Sequence, residues 1–315
     1  MAPMDLKIMG EGIMRKLLIV VVVFFFCLAG VGLSVDSGQS RMFPGGQVLE
    51  GLSIDSELMG KQVNFAVYLP PDYAVSTRKY PVLYLLHGYS DDETGWIQFG
   101  EVNVSADQMI SSGEVPAMII VMPDGGVTWY VDDYSGKVPW EKMFLEELIP
   151  HVEKTYRVRA KREFRAISGL SMGGYGSLGL AMRNPDKFVA CVAFSAGIWS
   201  DDQLVKQTPE QYDRYLRVPF GPMQGDPPKL SEHFWNNNPV RLAETLPVEE
   251  LNKVRWYIDC GDDDFLYAGN STLHMIMRDR EIKHEYRVRD GAHSWIYWRT
   301  GIRDGLRFIA KSFHR

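Results

Sequence analysis

Ser171 lies in the run Gly169-Leu170-Ser171-Met172-Gly173-Gly174, directly after an apolar stretch and directly before a helical pattern. A strand-to-helix turn sharp enough to lift a hydroxyl above a sheet needs small neighbours, and Gly169 and Gly173 supply them. The amides that follow would open a helix N-terminus and face a developing oxyanion. A serine hydroxyl at its free pKa is a poor nucleophile, so a base is required, and the base needs an orienting acid. Among seven histidines, His293 is the best placed. It follows the run 284–288 and the turn Asp290-Gly291-Ala292 and precedes a closing helix, the kind of loop in which an α/β sheet presents its reactive groups. His151 and His274 fall in helical patterns, His233 in a polar segment, His284 near a strand start and His314 in the tail, all better suited to surface or packing. For the acid, Asp262-Asp263-Asp264 follow the strand ending at Asp259-Cys260-Gly261, and any of the three could reach the base. His87-Gly88-Tyr89 closes an early strand, so the oxyanion donors are expected to be the main-chain N–H groups of Tyr89 and Met172.

These groups need a scaffold that brings several loops to one edge. Residues 81–86, 117–122, 164–167, 188–194 and 254–258 are short, nearly continuous apolar runs, suited to strands buried on both faces of a parallel sheet. Residues 63–69 alternate as a half-exposed strand does, and Pro70-Pro71 stops them. Residues 140–155 carry apolar side chains at 143, 144, 145, 148 and 149, one face of a helix. Residues 172–184 read as a second helix stopped by Pro185, and 295–313 as a closing one. Alternating strands and helices predict one α/β domain with a mostly parallel sheet and helices on both faces. The order Ser171, Asp, His293 is that of the α/β-hydrolase fold. Residues 200–247, rich in Pro, Asn and Gln, read as an insertion over the sheet edge that forms a partial cap.

The 315-residue chain is 45% hydrophobic and 23% charged with a net charge of −6. It is long enough to bury a core without a metal or disulfide scaffold. Its charge argues against nucleic acid or an anionic membrane surface as a partner, and the chemistry above calls for no cofactor and no metal. Arg15 and Lys16 precede an apolar run, 17–33, that ends among Ala29, Gly30, Gly32 and Ser34. This is the pattern of an export signal over 1–34, followed by a linker over 35–46 and a catalytic domain over 47–315. The rival is an uncleaved anchor, since the run sits at the lower edge of a bilayer span. Cys27 precedes Leu28-Ala29-Gly30, so the lipoprotein order is absent. Cys191 and Cys260 fall in core strands as small hydrophobes. Export would permit a bridge between them, but one lies early in its strand and the other at the exit of its own.

From about residue 63 to the C-terminus the sequence resembles the esterase D / antigen 85-type group of α/β-hydrolases. That group includes S-formylglutathione hydrolases, feruloyl and acetylxylan esterases, tributyrin-type esterases and mycolyltransferases. The resemblance rests on Tyr84-Leu85-Leu86-His87-Gly88, Met122-Pro123-Asp124-Gly125-Gly126, Glu146-Glu147-Leu148-Ile149-Pro150, 169–174, 260–267 and His293-Ser294-Trp295 with Tyr297-Trp298. It implies that Asp264, in Cys-Gly-x-x-Asp, is the acid and that His293, in His-x-Trp, is the base. It further implies Trp129 and Tyr130 as substrate contacts, Trp295 beside the base, and Trp96 facing the site. The expected activity is serine carboxylesterase action on short-chain or carbohydrate-linked acetyl or feruloyl esters, with a small-molecule or polysaccharide ester as partner. Transfer of an acyl group to a sugar, S-formylglutathione hydrolysis, and a silent binding module on the same scaffold are the alternatives.

Overall fold

The computed structural model describes residues 45–313, apart from 201, 202, 205 and 226–228. The export-type segment at 1–34 and His314 therefore lie outside the described residues. Eight strands form one sheet in the order β1-β2-β4-β3-β5-β6-β7-β8. The strands are β1 (Gln47–Ser56), β2 (Lys61–Leu69), β3 (Val82–Leu86), β4 (Ile119–Pro123), β5 (Arg165–Leu170), β6 (Ala190–Phe194), β7 (Arg255–Asp259) and β8 (His284–Arg287). β1 and β2 are antiparallel to their neighbours, and from β4 through β8 every pairing is parallel. With helices on both faces, this is the α/β-hydrolase fold expected from the sequence.

The five apolar runs became strands because helices cover both faces. Along β3, Val82, Tyr84 and Leu86 enter one core while Leu83 and Leu85 enter the other. The first core contains residues of Met172–Arg183, Tyr267–Asp279 and the 140–155 stretch, and the second contains residues of Val102–Ser111 and Trp295–Phe313. Each large side chain so buried contributes on the order of 1.5–3 kcal/mol. Cys191 and Cys260 are free and buried.

Three elements differ from the sequence expectation. β2 alternates only at its start; from Phe65 to Leu69 it is buried throughout, because β1 and β4 flank it and Tyr68 packs into the second core, its hydroxyl donating to Asp107. The 140–155 helix contains a wide π turn at Phe144–Leu148 between Trp140–Met143 and Ile149–Thr155. That turn precedes Pro150, which has no N–H to offer the Glu146 carbonyl. β1 carries no sequence signal of a strand. It is a largely exposed edge with a bulge between Leu49 and Leu52, so it lacks a continuous apolar face.

Ser171 sits where β5 turns into the helix Met172–Arg183, at φ 53° and ψ −118°. A non-glycine residue in this region costs on the order of 1–3 kcal/mol, so its surroundings must hold it. The Ser171 N–H donates to the Phe194 carbonyl at 2.9 Å, and the Ser171 carbonyl accepts from Gly197 N–H at 2.8 Å. The glycines clear the turn: a Cβ at Gly169 would strike the Gly173 carbonyl, and one at Gly173 would strike the carbonyls of Leu86 and His87. All of those obstacles are backbone and cannot rotate away. Gly173→Ala is therefore expected to lower unfolding free energy by about 1–3 kcal/mol, read as a reduced urea midpoint. An unchanged midpoint would contradict the packing described.

Candidate active site

The C-terminal ends of the parallel strands supply the site. β5 delivers Ser171, the loop after β7 delivers Asp264, and the loop after β8 delivers His293. His293 Nε2 lies 2.9 Å from Ser171 Oγ, and its Nδ1 lies 2.9 Å and 3.1 Å from the two oxygens of Asp264. With the proton on Nδ1, Nε2 accepts from the serine hydroxyl, the arrangement a general base requires. The other described histidines are engaged elsewhere. His151 packs edge-on to Phe65, His233 hydrogen-bonds the Asp132 carbonyl, and His274 and His284 pair with each other. Asp262 and Asp263 are exposed, whereas Asp264 is buried and accepts the Leu266 N–H at 2.9 Å.

Burial alone would raise the Asp264 pKa. The hydrogen bond and charge of His293, the Leu266 N–H and the Ser195 hydroxyl outweigh it and hold the carboxyl below its ordinary value. Ser195, itself at φ 43°, also accepts from Trp298 Nε1 at 3.0 Å, and the Trp298 ring stands perpendicular to His293 at 4.8 Å.

The loop after β3 is fixed by His87. Its Nδ1 contacts the Gly88 carbonyl at 2.7 Å, and its Nε2 accepts the Gly125 N–H at 2.8 Å. This pair of contacts fits a neutral imidazole with its proton on Nδ1. Because the peptide is trans, the Gly88 carbonyl aimed at His87 turns the Tyr89 N–H the opposite way. That amide has no acceptor among the described residues. Met172 opens its helix, and its N–H has no intrahelical acceptor. A Cβ added at Gly88 would come within van der Waals range of the Ser171 Cβ. Tyr89 lines the same cavity as Ser171, and Met172 follows the serine directly in the chain.

Above Ser171 lies a cavity of about 720 Å³ lined by Trp129, Trp199, Tyr215, Phe265, Trp295 and Trp298, with Gln207 and Gln211 adding amides. Trp129 and Trp295 line it as expected from the sequence. Tyr130 and Trp96 do not, which corrects their expected role. Tyr130 is fully buried: its hydroxyl donates to the His87 carbonyl at 2.9 Å and its ring occupies the space left at Gly125 and Gly176. Trp96 is buried, donating to the Leu86 carbonyl at 2.9 Å and bracing Trp295 edge-on at 5.4 Å. Both hold the wall from behind.

The 200–247 insertion, expected as a partial cap, also supplies cavity side chains that the sequence did not single out. Its described parts are short helices, Pro209–Tyr215, Arg217–Phe220, Glu232–Asn237 and Pro239–Thr245. The first brings Gln211 and Tyr215 to the cavity, and Trp129 Nε1 donates to the Tyr215 carbonyl at 3.1 Å. The capping pattern Thr208-Pro209-Glu210-Gln211 was the available signal for that helix. Among the described residues, one group of carboxylates is compact enough for a cation: Asp262, Asp263 and Asp290. All three are exposed, and Asp262 already accepts the Gly291 N–H.

Sheet order, strained serine turn and Ser–His–Asp geometry define a serine hydrolase-type site on an α/β-hydrolase scaffold. The chain belongs to the putative esterase family, whose pattern matches residues 56–309. It is similar to an esterase of Mycobacterium tuberculosis, with 32% identity over 211 residues. That match covers 65% of this chain and 42% of the relative, so the chain spans about two fifths of that protein. An acetyl esterase of Caldicellulosiruptor saccharolyticus is 25% identical over 81% of this chain and 96% of its own length. Among solved structures, a ferulic acid esterase superposes with a TM-score of 0.73 at 32% identity, covering 85% of this chain and 99% of the other.

The depressed Asp264 pKa carries a pH consequence. A carboxyl whose native pKa is lowered stabilises the fold above its unfolded value, about 3.9, and that contribution is lost as pH falls through the native value. The gap in melting temperature between the native chain and Asp264→Asn should be full near neutrality and shrink as pH drops below about 4. Thermal melts across this range check it; a gap that widens at low pH would reverse the sign.

Proposed function

We propose that this chain hydrolyses carboxylic esters through an acyl-enzyme. The observation that carries the reading is the continuous hydrogen-bond path from Ser171 Oγ through His293 to Asp264 beneath an aromatic cavity. Ser171 attacks the ester carbonyl while His293 Nε2 takes its proton. Asp264 keeps the imidazole in the required tautomer and stabilises the imidazolium. The tetrahedral oxyanion is held by the Tyr89 and Met172 N–H groups. His293 then protonates the departing alcohol, and water, activated by the same imidazole, releases the acid. The mechanism needs no metal.

For substrate, we infer short-chain or carbohydrate-linked acetyl or feruloyl esters. The apolar, aromatic lining supports this, as do the names of the similar acetyl esterase and ferulic acid esterase. Ser171→Ala should reduce turnover of p-nitrophenyl acetate by at least about 10³-fold with the melting temperature preserved, and should lose labelling by a fluorophosphonate probe. Wild-type-like activity in this variant would overturn the mechanism. A panel of acetyl, butyryl and feruloyl esters, with and without an attached xylo-oligosaccharide, locates the selectivity. Equal turnover of all of them would remove the substrate assignment but leave the mechanism.

We also infer export, supported by the basic flank, apolar run and small residues of 1–34. In a bacterial expression host the mature chain should be recovered outside the cytoplasm, with an N-terminus close to residue 35. Recovery of a full-length cytoplasmic chain would contradict it.

A further inference from the structure

His293 and Asp264 sit on separate loops, so the alignment of Nδ1 on the carboxylate depends on how those loops are tied together. Backbone pairing continues past the ends of β7 and β8: Cys260 N–H donates to the Arg287 carbonyl at 3.1 Å, Asp262 N–H to that of Arg289 at 3.2 Å, and Asp263 N–H to that of Gly291 at 3.2 Å. The reverse tie is made by a side chain, with Gly291 N–H donating to Asp262 Oδ1 at 3.0 Å. The same oxygen accepts the Asp263 N–H at 3.1 Å. Gly291 adopts φ 139°, and its carbonyl lies so close to Gly261 that no Cβ would fit there. Ala292 alone separates Gly291 from His293. On the upstream side of that turn, Arg289 forks onto buried Asp259 at 2.9 Å and 3.1 Å, and Tyr257 and Tyr297 hydroxyls donate to the same carboxylate. The loop is therefore anchored at Arg289 and steered at Gly291.

We propose that Asp262 is a positioning residue for the reaction: by accepting the Gly291 N–H, its carboxylate sets the path of the chain into His293 and so the placement of the imidazole on Ser171. This assignment rests on the Ser171–His293–Asp264 reading. Asp262 itself is exposed, does not line the cavity, and has no hydrogen bond to Ser171 or His293. A carboxylate with no burial to maintain has little part in the core, and its value lies in where it directs the loop.

Asp262→Ala removes the acceptor, while Asp262→Asn keeps an oxygen at the same place. Steady-state hydrolysis of p-nitrophenyl acetate and the rate of fluorophosphonate labelling at Ser171 should be measured for both and for the native chain. D262A is expected to lose about tenfold in kcat with little change in KM, because a misplaced base slows the chemical step rather than binding. Labelling should slow in parallel, and D262N should recover most of both rates. Native-like kcat in D262A, a loss confined to KM, or a loss that Asn fails to recover would each overturn the assignment while leaving the esterase reading intact. A native chain that neither labels nor hydrolyses would overturn the esterase reading and this assignment with it.

Discussion

The contact on which the site depends is the one between backbones at Gly169, Gly173, Leu86 and His87. β5 can turn into its helix at φ 53° only because no side chain stands between that helix and the end of β3. The same approach sets the serine beside the loop that holds the Tyr89 amide. Strain at Ser171 and clearance at the glycines are two sides of one constraint. The strained turn is what carries the half-buried Ser171 side chain to the cavity.

Around that turn, aromatic side chains act as struts as much as ligand surfaces. Tyr130 fills the spaces left by Gly125 and Gly176 and bonds the His87 carbonyl, while His87 bonds the Gly88 carbonyl and Gly125 N–H. The loop after β3 is thus held by an imidazole and a phenol that do not line the cavity. Trp129 stands at φ 57° beside Tyr130 at φ 61°, so the chain accepts two successive left-handed residues to send one ring into the cavity and the next beneath it.

What the sequence could show depended on how local each signal was. The serine turn, the apolar strands and the closing helix Trp295–Phe313 are written in contiguous residues, and the structure forms all of them. β1 was not legible, because an exposed edge strand carries no apolar run. Tyr130 and Trp96 turn away from the cavity, because an aromatic residue carries no direction until the backbone gives it one. The three aspartates after β7 could not be separated by chemistry alone. Their division of labour, with Asp264 inward and Asp262 outward, follows from loop–loop pairing with residues about thirty positions downstream. The 200–247 segment was opaque because its helices are short and packed by scattered aromatics such as Tyr212, Phe220 and Phe234, without a sustained period.

The hydrogen bond between Ser171 and His293 joins residues 122 positions apart. The histidine loop is held by the closing helix, through Arg289 with the Tyr297 carbonyl and through the Trp298 ring against His293. During synthesis the serine turn and most of the parallel sheet emerge first, and the imidazole arrives with almost the last element of the fold. At ordinary elongation rates the hydroxyl waits on the order of ten seconds for its partner. Until His293 has been added to the chain, the Ser171 hydroxyl has no imidazole to contact.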